Sequence, residues 1–143
     1  MRGFKALLVI GLFFMSMGCS KKDYTKEPAK MHWDRDMCER CKMAISERNF
    51  AVQGVDQKGE VYKFDDIGCL ILWRHLEHPE IKFVKIWVKD VKSGKWIDAR
   101  KAKYVAGVVT PMGYGFGAYE NPPKGKKVLS FEEVKQKIIK IGR

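Results

Sequence analysis

Residues 49–72 read NFAVQGVDQKGEVYKFDDIGCLIL, and this run decides the fold. Phe50, Val52 and Val55 lead into Gln57-Lys58-Gly59, a turn, and Val61, Tyr62 and Phe64 resume the apolar pattern, so the segment is expected to form a β-hairpin. Asp65 and Asp66 then offer N-cap oxygens for a helix through Ile67, Leu70, Ile71 and Leu76 that ends before Pro79. The apolar face of that helix is expected to pack on the hairpin. Cys69, on the same face, is read as a core position, because free cysteine is among the most buried residue types.

Downstream, Ile81 to Val88 is rich in Val, Ile, Phe and Trp and is read as a strand buried on both faces. Ser93-Gly94 turns the chain. Short strands are expected at Trp96 to Ala99, Lys103 to Val109 and Gly117 to Tyr119. The proline-containing loop Asn121 to Lys127 then precedes Ser130-Phe131-Glu132-Glu133, a capping box opening a last helix with Phe131, Val134, Ile138 and Ile139 in one stripe. The expected class is α+β: two small ββα(β)-type halves sharing a core, with mixed or antiparallel sheets and two helices.

Upstream of the hairpin, Asp36-Met37-Cys38-Glu39-Arg40-Cys41-Lys42-Met43 gathers two thiols and thioethers. Soft sulfur at this density suits Cu(I), although a C-x-x-C pair also suits a disulfide or zinc. Met43 favours copper, because zinc prefers thiolate, imidazole or carboxylate. Plain core filling is the competing use of a methionine. Arg40 and Lys42 are expected to lower the thiol pKa values.

The chain has 143 residues, 45% hydrophobic and 31% charged, which is one ordinary globular domain. Arg2 and Lys5 precede an apolar run from Ala6 to Met15, shorter than the roughly 20 residues a bilayer span needs, so residues 1–18 are expected to be a secretory signal. Ser16-Met17-Gly18-Cys19 resembles a bacterial lipoprotein processing site, with Cys19 lipidated and the protein held at an extracytoplasmic membrane face. Residues 19–33 are read as a flexible tether and 34–143 as the folded domain. The net charge is +11 from 28 basic and 17 acidic residues. An exported protein of this charge is expected to meet anionic lipid or an acidic partner surface and not nucleic acid. With Cys19 spent on lipid, Cys38, Cys41 and Cys69 remain, an odd number that cannot all pair internally.

In Thr110-Pro111-Met112-Gly113-Tyr114-Gly115-Phe116-Gly117, glycines alternate with aromatic residues. Such a segment suits close backbone approach, with Met112 as a further candidate ligand, or a tight edge strand. Three other uses of the cysteines stay open. One is a thiol-disulfide oxidoreductase built on Cys38 and Cys41, against which the following hairpin argues. Another is a zinc site of Cys38, Cys41, Cys69 and one of His32, His75 or His78. The last is an interaction module with a small structural disulfide. The sequence shows no Ser/His/Asp-type constellation, so no catalytic turnover is expected.

Cys38-x-x-Cys41-x-Met43, Phe64-Asp65-Asp66-Ile67-Gly68-Cys69-Leu70, Trp96-Ile97-Asp98-Ala99 and Thr110-Pro111-Met112-Gly113-Tyr114-Gly115-Phe116 together resemble the NosL family of nitrous oxide reductase accessory lipoproteins. The resemblance implies a Cu(I)-binding, membrane-anchored metallochaperone that supplies the copper-sulfide centre of nitrous oxide reductase beside an ABC-type transporter complex. It also implies a small fold of ββαβ units. The family's C-x-M element falls on Cys41 and Met43, with Cys38 and Met112 as further candidates.

Overall fold

The structure is a computed structural model that describes Gly18 and residues 20–142. The expected signal segment before Gly18, and Cys19, lie outside the described residues. After a single 3-10 turn at Arg48–Phe50, the hairpin forms as expected from β1 (Val52–Asp56) and β2 (Val61–Phe64). The Asp56 carboxylate closes its turn by accepting from the backbone N–H of Lys58 and Glu60, at 2.8 and 2.9 Å. α1 (Ile67–Leu72) follows and continues as a π turn over Trp73–Glu77. Asp66 caps α1, its side chain accepting from Gly68 N–H at 3.1 Å. Strands β3 (Phe83–Lys89), β4 (Trp96–Asp98), β5 (Lys103–Ala106) and β6 (Phe116–Tyr119) precede α2 (Phe131–Ile141). α2 opens on the capping box of Ser130 and Glu133.

The strands make an antiparallel four-stranded sheet in the order β2-β1-β3-β4 and a two-stranded ribbon of β5 and β6. This is a small α+β domain with two helices. Val52 pairs with Phe64 on one side and Val88 on the other, so the three side chains share one face. Ile67, Leu70, Val134 and Ile138 complete the same buried core. Tyr104 is also buried there and its hydroxyl donates to Ala99 O at 2.7 Å, which ties β5 to the loop after β4. Gly54 faces this core too, where an added Cβ would stand 2.5 Å from the Phe83 ring.

Two of the strand expectations are corrected. β3 is not buried on both faces: Ile86 and Val88 point inward, while Lys85, Trp87 and Lys89 alternate outward and half-exposed. The Lys85 and Lys89 ammonium groups sit over the Trp87 and Trp96 rings, 4.3 and 4.6 Å from the centroids, so a run that reads as uniformly apolar carries a cation–aromatic outer face. The strand expected at Lys103 to Val109 ends at Ala106, where Gly107 takes φ +80° and turns the chain out of register.

The stretch read as a flexible tether lies along the sheet. Gln53, whose side chain points away from Val52, is fully buried beneath it and exchanges two 2.8 Å hydrogen bonds with the backbone of Ala29. Trp87 Nε1–H donates to Tyr24 O at 2.8 Å, Lys63 Nζ donates to Lys30 O at 2.9 Å, and Met31 is buried. It is the backbone of this stretch, not its polar side chains, that answers the polar groups on the outer face of the sheet.

Candidate metal centre

Three segments converge beside β2. The first is the C-x-x-C loop. Met37 and Ala44 form an isolated bridge, Cys38 N–H donates to Met43 O at 2.9 Å, and Lys42 N–H donates back to Cys38 O at 3.0 Å. This narrow turn is closed by Lys42 at φ 60°. Glu39 N–H donates to Lys63 O at 3.0 Å, holding the loop against the exposed edge of β2. The two cysteines therefore sit in a hairpin-like turn and do not open a helix, unlike the arrangement the oxidoreductase alternative requires.

The second segment is the passage from β2 into α1. Asp66 is occupied as the cap, which leaves Asp65 free to turn inward, and Cys69 projects from the first turn of the helix. One donor atom from each of Cys38, Cys41, Asp65 and Cys69 lies within 4.8 Å of every other. All three thiols are free; Cys38 and Cys69 are fully buried and Cys41 is half-buried. Ligands about 2.3 Å from a shared ion lie within roughly 4.6 Å of one another, so the cluster has the spread a single thiophilic ion needs.

The third segment is Thr110 to Gly115, which crosses the N-terminus of α1. Met112 N–H donates to Asp66 Oδ2 at 3.2 Å, and Gly115 N–H donates to Thr110 Oγ1 at 3.1 Å. The Tyr114 ring lies on Gly68, where a Cβ would come within 2.2 Å of ring carbon, so glycine is what lets this loop close over the helix. Arg40 Nη1 donates to the Tyr114 hydroxyl at 3.2 Å, linking the third segment to the first.

The protons are shared unequally. Hydrogen bonding from the Cys69 thiol, and then from the backbone N–H groups of the turn, holds the Cys38 pKa well below that of a free thiol despite its burial. The same contact with Cys38, together with burial, pushes Cys69 up. Burial raises Cys41 as well, and its thiol donates to Asp65 Oδ2 at 3.2 Å. Of the three, Cys38 holds its proton least tightly. Its lowered pKa comes from S–H and N–H donors and not from the Arg40 and Lys42 charges that the sequence suggested. Arg40 Nε lies 3.0 Å from Glu77, and exposed Lys42 is 3.7 Å from Glu39. Asp65 Oδ1 is buried with no hydrogen-bond partner, an unmet acceptor beside three sulfurs that a cation would satisfy.

The sequence-selected residues are distributed unevenly. Cys38 and Cys41 belong to the cluster. Met43, two residues after Cys41, is 57% exposed, and Met112, whose backbone N–H bonds the Asp66 cap, is half-buried against the core; neither thioether is one of the four clustered donors. Cys69, read as core, is both core and cluster. Asp65, read only as a possible cap, is the fourth donor, while no histidine joins the group among the described residues. For Asp65 a local signal exists, since two acids precede a helix that needs one cap; for Cys69 the only pointer is the odd cysteine count, which places it in the zinc alternative.

The NosL family model matches residues 28–139, most of the chain. The chain belongs to the NosL family. Among solved structures it is similar to the crystal structure of the copper chaperone NosL from Shewanella denitrificans, with a TM-score of 0.55 and 22% identity over 73% of this chain and 93% of that one. At that identity the likeness concerns the fold. Comparison with curated proteins returns no match. No helix among the described residues is long and apolar enough to cross a membrane.

Proposed function

We propose that this protein is a non-enzymatic Cu(I) metallochaperone. It carries copper as cargo on Cys41 and Cys38, with Cys69 as a third thiolate and Met43 and Met112 as thioether donors on the outer side. Lipid on Cys19 would anchor it at the extracytoplasmic face of a bacterial membrane, where it would supply the copper-sulfide centre of nitrous oxide reductase beside the ABC-type maturation complex. The observation that carries this reading is the convergence of three free thiols at one sheet edge, with Cys41 half-exposed and Met43 open to solvent. Soft donors favour Cu(I), and a partly open site lets an acceptor's thiolate or imidazole add before a resident ligand leaves. Family membership and the copper-chaperone fold neighbour support the same reading.

The test is anaerobic Cu(I) titration against a chromophoric chelator. One tight copper per chain is expected, weakened about 100-fold, or ~2.7 kcal/mol, by Cys41→Ser. Equal affinity in the two proteins overturns the site. The delivery reading is checked separately, by metal analysis of nitrous oxide reductase from cells lacking this protein. The anchor is checked by mass spectrometry of the mature chain and of Cys19→Ser.

Asp65 is the observation that favours a second cargo, a divalent ion, because a carboxylate is a harder donor than copper(I) prefers.

A further inference from the structure

A groove of about 370 Å³ opens between α1, the start of β3, the loop after β4 and α2. Its floor is apolar, built on Ile71, Phe131 and Ile139 among others, and its rim carries Arg74, Lys82, Arg100 and Lys135 from four different segments. No carboxylate lines it among the described residues. Two of these cations are held in place by backbone rather than by acids: Arg74 Nε donates to Ile81 O at 2.9 Å and Arg100 Nη2 donates to Phe83 O at 2.8 Å. Arg74, Lys82 and Arg100 have no ion-pair partner among the described residues, and Lys135 meets only exposed Glu132 at 3.2 Å.

Like charges brought to one rim repel each other, and two guanidinium groups fixed by carbonyls keep donors for an incoming oxyanion. An apolar floor beneath them rewards a hydrocarbon body. We propose that the groove binds a small organic anion with an apolar tail, of the class of medium-chain fatty carboxylates. The carboxylate would lie between Arg74, Lys82 and Arg100 and the chain would lie along the floor. The volume is that of a small-ligand site, at the lower end of the roughly 300–1,000 Å³ range, whereas a protein partner needs an interface of about 1,000 Å² or more. The inference is independent of copper. α1 serves both places, turning Cys69 to the metal centre and Ile71 to the groove.

The test is calorimetric titration of the folded chain with monomeric dodecanoate, against butyrate and dodecyltrimethylammonium. Saturable one-to-one binding of dodecanoate is expected, at least about tenfold tighter than either comparator. Lys82→Glu combined with Lys135→Gln, both remote from the thiols, should weaken it about tenfold while leaving the thermal midpoint and Cu(I) titration unchanged. Equal binding of the cationic surfactant, indifference to the double substitution, or absence of saturable dodecanoate binding overturns the proposal. Binding of anionic phospholipid vesicles without binding of monomeric dodecanoate also overturns it, and would make this a membrane-facing surface instead.

Discussion

The two edges of the four-stranded sheet are finished in opposite ways. At the β4 edge the charges are answered within the chain: Lys85 bonds Asp98 at 2.8 Å, and Lys89 lies over Trp96. At the β2 edge the C-x-x-C turn, Asp65 and Cys69 bring together donors that are not fully answered, with three free thiols clustered around one bare buried carboxylate oxygen. A folded chain tolerates buried polar groups when they are paired and loses stability when they are not. The two buried side-chain atoms without a hydrogen-bond partner among the described residues, Asp65 Oδ1 and Arg40 Nε, both belong to this edge, and the cluster of one carboxylate and three thiols there has the donor set of a cation site.

The largest effects should come from the buried thiols. Cys69→Ser is expected to weaken Cu(I) binding about 100-fold, as Cys38→Ser should. If Cys69 were core alone, Cys69→Ser would lower the thermal midpoint, since a buried hydroxyl costs about 1–3 kcal/mol, and leave the affinity of the folded protein intact. Measuring both quantities on one preparation separates the roles.

Asp65→Asn sharpens the contrast between donor types. Removing the harder donor should lower Zn(II) affinity about tenfold while changing Cu(I) affinity less than about threefold. Because the substitution also removes an under-satisfied buried carboxylate, the metal-free protein should lose no stability in chemical denaturation. A large loss of Cu(I) affinity instead would place the carboxylate among the copper ligands.

The sequence shows the hairpin, both helices and the capping box plainly, because those rest on local rules: turn residues, N-cap acids and the spacing of Val134 and Ile138. It shows Cys38, Cys41 and Met43 because they are neighbours along the chain. What it hides depends on distant contacts. Nothing local to Cys69 says that its helix turn faces Cys38, 31 positions earlier. The polar run around Ala29 does not announce that it will cover Gln53. The outward alternation of β3 is masked because Trp87 reads as core when it is a platform for Lys85.

Met43 tests the outer side of the same edge. At 57% exposure it contributes little to the core, so Met43→Leu should move unfolding free energy by less than about 0.5 kcal/mol. Cu(I) affinity should still fall, by about tenfold, if the thioether completes the site. An unchanged affinity would leave the copper to the buried sulfurs alone.

The smallest effect belongs to the β4 edge and concerns pH. Burial works against the Asp98 charge, but the Lys85 ammonium and the Arg100 backbone N–H outweigh it and hold the pKa below the ordinary value of 3.8. A carboxylate whose folded pKa is depressed contributes stability above its unfolded pKa and loses it as pH falls through the folded value. The contribution is therefore present above the ordinary value of 3.8 and is lost as pH falls below it. Asp98→Asn should lower stability modestly at pH 7 and flatten the part of the acid unfolding curve below pH 3.8. Lys85→Met should do the same, and the double variant should add little to either, because the two groups form one interaction. If the acid limb keeps its slope in Asp98→Asn, the β4 edge is not stabilised by this pair, and the contrast between a satisfied and an unsatisfied edge fails on that side.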